Sequence, residues 1–85
     1  MIPSGDKSIH SRINSNLGRR VKSARKSLGL SQTHLANALG VSFQQIGKYE
    51  SGQNTMSVPT FLTICHALRL KPSSLLDEYS DREKF

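Results

Sequence analysis

Acidic residues are nearly missing from the body of this chain. Between Lys7 and Lys71 the sole acid is Glu50, against ten basic side chains: Lys7, Arg12, Arg19, Arg20, Lys22, Arg25, Lys26, Lys48, Arg69 and Lys71. Asp77, Glu78, Asp81 and Glu83 all fall in the last nine residues. A basic body with an acidic end points to a polyanionic partner, although a solvated face that only keeps a protein dissolved would carry the same charge. Cysteine is reduced to Cys65, which excludes a disulfide framework within the chain and fits a reducing compartment. No apolar run reaches the roughly 18 residues of a membrane span, and MIPSGDKSIHSRINS lacks the apolar centre of a signal peptide. The expectation is a soluble, cytoplasmic protein with no membrane partner. Sustained period-two alternation is also absent, so the fold is expected to be all-α.

Catalytic patterns are missing too. There is no zinc-ligand spacing, P-loop or GxSxG. Cys65, His66 and His34 are the only candidate nucleophile or metal groups. Cys65 falls on an apolar helix side, where a free cysteine acts as a small hydrophobe. His66 points about 100° away from it, poorly placed to activate a thiol. The chain is expected not to be an enzyme, with no metal, cofactor or small-molecule effector.

What is present is helix punctuation. With 85 residues the chain forms one domain with a modest core. Residues 1–15, rich in Ser and Asn with Pro3 and Gly5, read as a flexible arm. From Asn16, Leu17, Val21, Ala24 and Leu28 mark one helical face, and Arg25 flanks it. Gly29 closes this helix. Ser31 then caps a second helix, with Leu30 and Leu35 as its hydrophobic staple, and Gly40 stops it. Val41, Ser42, Gln45 and Ile46 repeat the pattern, here with the full S-x-x-Q capping box, and Gly52 ends the third helix. Only Gly40, Val41 and Ser42 separate these two helices, the spacing of a helix-turn-helix.

Ser57 and Pro59 open a fourth helix, in which Val58, Phe61, Leu62, Ile64, Cys65 and Leu68 read as largely buried. Pro72 opens a short fifth helix with Leu75, Leu76 and Tyr79 as its apolar side. The expected architecture is a compact five-helix bundle over 16–79 between the flexible arm and a frayed acidic tail, 80–85.

With Ile46 and Tyr49 inward, steps of about 100° place Gln44, Gly47, Lys48 and Ser51 on the outer side of the third helix. A surface carrying Ser42, Phe43, Gln44 and Gln45 suits the major groove of DNA. A glutamine amide pairs bidentately with adenine, and an aromatic edge meets a thymine methyl. Each residue has a plainer alternative. Gln45 completes the capping box with Ser42, and Phe43 is a core-edge hydrophobe. Lys48 suits phosphate better than a base. The deep, narrow major groove of A-form RNA argues against an RNA partner.

The segment RVKSARKSLGLSQTHLANALGVSFQQIGKYESG, Arg20 to Gly52, resembles the DNA-binding domain of phage repressor and Cro-like proteins, the XRE-type helix-turn-helix family. The resemblance rests on GLSQ..LA..LGVS...I...E.G and extends more loosely through VPTFLTICHALRL and SSLL. It implies a five-helix domain that binds operator DNA, usually as a dimer. It places Gln32 and Asn54 at phosphate, and Phe43, Gln44, Gln45 and Lys48 toward bases. It also pairs Arg25 with Glu50, and a partly buried arginine in this basic region has no other carboxylate to meet. Three residues depart from the family habit: Arg69 where a glycine often ends the fourth helix, the small Gly47, and Phe43 in a commonly polar place. The expected role is a sequence-specific regulator of transcription, a repressor on a pseudo-palindromic operator. Arg19, Arg20 and Lys22 would follow the phosphate backbone, and the fifth helix would supply the dimer contact. The rival is an antitoxin or docking adaptor whose main partner is a protein, because helix-turn-helix domains are reused.

Overall fold

The computed structural model describes residues 7–80, with the side chains of 9–76. Five helices follow in order: α1 (Lys7–Ser27), α2 (Gln32–Leu39), α3 (Phe43–Ser51), α4 (Val58–Ala67) and α5 (Pro72–Ser80). There is no strand among the described residues. Three serines start the three middle helices in one way. Ser31, Ser42 and Ser57 each take an extended backbone and accept a bond from the N–H three residues on, at 3.0, 3.2 and 3.2 Å. Each satisfies one of the donors that a helix start leaves unpaired. Gly40 ends α2 in the left-handed region (φ 73°), which reverses the chain in the two residues left before Ser42.

The core draws on every helix. Val21 comes from α1, Leu35 and Ala36 from α2, and Ile46 from α3. Phe61, Ile64 and Cys65 come from α4, with Leu68 just after it, and Leu75 comes from α5. Helix α1 packs on both α3 and α5, and α2 lies between α3 and α4.

Four expectations change. First, the chain is already helical at Lys7, so residues 7–15 belong to α1 rather than to an arm. Ile9 and Ile13 carry the four-residue spacing of Leu17 and Val21 backward, and both are half-buried. Residues 1–6, the rest of the expected arm, lie outside the described residues, as do 81–85 of the expected tail. Second, Leu28 is 52% exposed, because it follows the last helical residue and leaves the stripe. Third, Val58 and Leu62 are 70% and 47% exposed. Four residues apart, they share the outer side of α4, while Phe61, Ile64, Cys65 and Leu68 take the inner one. Fourth, Leu75, expected on the contact face of α5, is core, while Leu76 is partly buried against it. The Tyr79 side chain lies outside the described residues.

Candidate nucleic-acid interface

Helix α3 is held at both ends. At its start is the Ser42 cap. Toward its end, Glu50 is 6% exposed and accepts three bonds. Arg25 of α1 donates through Nε at 2.6 Å and through its terminal Nη2 at 3.1 Å, and Gln32 of α2 donates through Nε2 at 3.0 Å. The remaining Arg25 nitrogen, Nη1, donates to the Leu30 carbonyl at 2.7 Å, which ties in the turn between α1 and α2. The buried pair is thus bidentate, and all three Arg25 nitrogens donate. Three helices share one carboxylate.

A second clamp is backbone on backbone. A β-carbon placed on Gly18 of α1 would lie 2.6 Å from the Glu50 carbonyl oxygen, inside the closest approach of real side chains. No residue larger than glycine fits there without moving α1 away from α3. Just above, Asn14 donates to Thr55 at 3.0 Å and binds α1 to the loop after α3.

What these clamps leave outward is the polar side of α3. Ser42, Gln44 and Lys48 are exposed, and Phe43 is 51% exposed. The Gln45 backbone N–H takes the Ser42 cap, but its side chain returns no bond to the Ser42 backbone. The capping box is only half formed, and the Gln45 amide is left unoccupied. Gly47 meets nothing nearer than Gln32 Nε2, at 3.7 Å from an added β-carbon.

The flanks divide the other candidates. Arg19 and Lys22 are exposed and step round α1 toward the side where Gly18 meets α3. Asn16 accepts a bond from the Arg19 guanidinium, which holds it along the helix. Arg20, one step of about 100° the other way from Val21, is half-buried and donates to the Leu75 carbonyl at 3.5 Å. The structure therefore carries Arg20 toward α5 and away from the α3 flank. Gln32 stands beside α3 with its amide nitrogen on Glu50, and its carbonyl oxygen keeps no partner. Asn54 is exposed, its backbone N–H bonded to the Lys48 carbonyl at 3.2 Å. The Arg25–Glu50–Gln32 junction joins three separate helices, so no spacing within one helix could have signalled the Gln32 part of it.

The thiol of Cys65 is 1% exposed, and burial pushes its pKa up, away from the reactive thiolate. His34 and His66 are both exposed on different helices. Among the described residues no helix is long and apolar enough to cross a membrane.

This arrangement, two short capped helices joined through a left-handed glycine with the second presenting amides outward, is that of a helix-turn-helix domain. The chain belongs to the XRE-type helix-turn-helix family: the helix-turn-helix family model HTH_3 matches residues 21–75. An uncharacterized transcriptional regulator in the ATPase CF(0) region of Rhodospirillum rubrum is 43% identical over 68 residues, 80% of this chain and 62% of that protein. The HTH-type transcriptional regulator y4wC of Sinorhizobium fredii is 35% identical over 66 residues, 78% of this chain and 46% of that protein. The chain thus spans about half the length of such curated relatives. Among solved structures, the restriction-modification controller protein C.AhdI of Aeromonas hydrophila superposes with a TM-score of 0.68 at 33% identity, covering 72% of this chain and 92% of that one. An XRE-family-like protein of Pseudomonas syringae does so with a TM-score of 0.76 at 26% identity, covering 89% and 93%.

Proposed function

We propose that the chain is a sequence-specific, double-stranded-DNA-binding regulator of transcription, acting as a repressor at a pseudo-palindromic operator. The observation that carries this is the outer face of α3. It offers two glutamine amides with no internal hydrogen bond and one lysine, and the nearby carboxylate of Glu50 is buried under an arginine. That is the surface a polyanionic groove accepts. Gln44 and Gln45 are the base readers, adenine being the base whose edge matches an amide. Lys48, Arg19, Lys22 and Asn54 bear on phosphates, and Gln32 offers its free carbonyl end and the N-terminal N–H groups of α2 there. Arg20 serves α5 instead.

One recognition helix reads too few bases for good specificity, so the operator-bound form is a homodimer with half-sites about one DNA turn apart. The exposed pair Val58 and Leu62 on α4 offers an apolar contact for it, since Leu75 of α5 is committed to the core.

The test is a random-duplex selection followed by a salt titration of the best site. Log affinity should fall linearly with log salt, and Gln44→Ala should relax the base preference at a cost of about 1–3 kcal/mol. A folded protein that ignores every duplex at low ionic strength would overturn the reading. Sedimentation of wild type and Leu62→Ser reports the dimer separately.

A further inference from the structure

We infer that the cleft between the α1–α2 turn and the end of α4 is a docking site for a partner protein's extended segment, one bearing a large apolar side chain flanked by carboxylates. The cleft has a volume of about 380 Å³ and is lined by Leu28, Leu30, His34, Ala67 and Arg69. Leu30 and Ala67 pack partly against the core and make an apolar floor. Leu28 forms a wall with half its surface in solvent. Its exposure is not that of a random surface leucine, because it adjoins this floor.

The rim carries the Arg69 guanidinium and, among the described residues, no counter-charge. Neither the Arg69 guanidinium nor the His34 ring has a hydrogen bond or ion pair. The only carboxylate among the described side chains is that of Glu50, already held by Arg25 and Gln32. An arginine with an open fork beside an apolar floor is complementary to a carboxylate next to an aliphatic or aromatic side chain. Arg69 also holds a backbone φ of 56°, the only positive value at a non-glycine among the described residues. Glycine takes that conformation without strain and arginine does not. Retained strain of this kind marks positions whose side chain has a task.

The cleft also lies on the free flank of α2. Stepping from Leu35, His34 falls about 100° to one side, whereas Gln32, which meets α3, falls on the other. A duplex lying against α3 leaves the cleft open, so the inference does not rest on the DNA reading and can hold with DNA bound.

The experiment selects a displayed library of short random peptides on the whole purified chain. The best fluorescein-labelled peptide is then titrated against wild type, Leu28→Ser, Arg69→Gly and Gln44→Ala. Enriched peptides should combine Asp or Glu with Leu, Ile or Phe. Their affinity should fall by at least about tenfold in Leu28→Ser and in Arg69→Gly and stay unchanged in Gln44→Ala. Binding should persist with saturating duplex. Arg69→Gly relieves a strained residue, so its loss of peptide is not a loss of fold. Melting curves of both cleft variants check this. No enrichment, peptides without acids, or equal affinity for the cleft variants overturns the inference. Duplex binding, measured on the same samples, fails or survives independently.

Discussion

Gly18 and Glu50 meet through their main chains: a β-carbon on the first would sit 2.6 Å from the carbonyl oxygen of the second. The neighbour is helix backbone and cannot swing aside. Gly18→Ala should therefore destabilise by about 1–3 kcal/mol, although alanine is the better helix former. Gly47→Ala gives the opposite sign. There an added β-carbon makes only an ordinary contact, 3.7 Å from Gln32, and the variant should gain about 0.5–1 kcal/mol. Urea midpoints of the two variants, measured side by side, check both signs; a stabilised Gly18→Ala would deny the close approach.

The pair between Arg25 and Glu50 is buried on both sides, with side chains 7% and 3% exposed. Removing one partner strands the other charge, so Glu50→Ala should cost about 3–5 kcal/mol. Removing both charges while keeping volume, as Arg25→Met with Glu50→Met, should be much less damaging than either single loss. Glu83→Ala controls for the loss of one negative charge. Equal urea midpoints for Glu50→Ala and Glu83→Ala would remove any stabilising role from the pair.

How much of this could be read from the chain follows from the range of each signal. Ser31, Ser42 and Ser57 were legible because a cap acts over three residues, and Gly40 because a turn acts over fewer. The scarcity of acids made Glu50 conspicuous as the partner for Arg25. The start of α1 was hidden because Lys7–Asn16 carries only Ile9 and Ile13 among polar residues, and composition outweighed a sparse period. Helix α4 is apolar nearly all round, which conceals its outer side; only packing against α2 and α5 separates Ile64 from Leu62. Arg20 and Gln32 show a related limit. Charge and position on a helix mark a side chain as available, but the Leu75 carbonyl and the Glu50 carboxylate reach them from distant parts of the chain.

Arg69 holds φ 56° directly after the C-cap of α4. The left-handed region costs an L-residue roughly 1–2 kcal/mol, while glycine gives part of that back through its freer unfolded chain. Arg69→Gly should thus raise stability by about 0.5–1 kcal/mol and Arg69→Ala should leave it near wild type. Thermal melts of the three proteins decide this. A destabilised glycine variant would mean that the Arg69 side chain contributes a contact outweighing its strain.

Burial raises the Cys65 pKa, which gives a pH dependence of definite sign. In the unfolded chain the thiol ionises near pH 8.5. Above that pH the unfolded state sheds a proton that the folded state keeps, so stability falls as pH rises toward the folded pKa. Below it this group contributes no slope. Between about pH 8 and 9.5, before lysine and tyrosine dominate, wild type should lose stability faster than Cys65→Ala. Identical slopes would show that the thiol titrates alike in both states. Alkylation by iodoacetamide should likewise proceed only as fast as the core opens.

Phe43 supplies the sharpest test of what α3 reads. Its ring is half exposed beside Gln44, at the start of the helix, where base edges are reached. A phenylalanine there has no hydrogen bond to give, so the feature it can sense in the major groove is the thymine methyl. Once a site has been selected, its thymines are replaced singly by deoxyuridine, which keeps the pairing and the hydrogen-bonding edge but lacks the methyl. One thymine in each half-site should prove sensitive, at a cost of about 0.8 kcal/mol for the lost contact. In Phe43→Ala, binding should be weaker throughout and indifferent to that same replacement, because the two changes remove one interaction and their effects do not add. If every deoxyuridine were tolerated by wild type, or if the sensitivity survived in Phe43→Ala, the ring would have to be assigned to packing against the phosphate–sugar wall, and base discrimination would fall to the two glutamines alone.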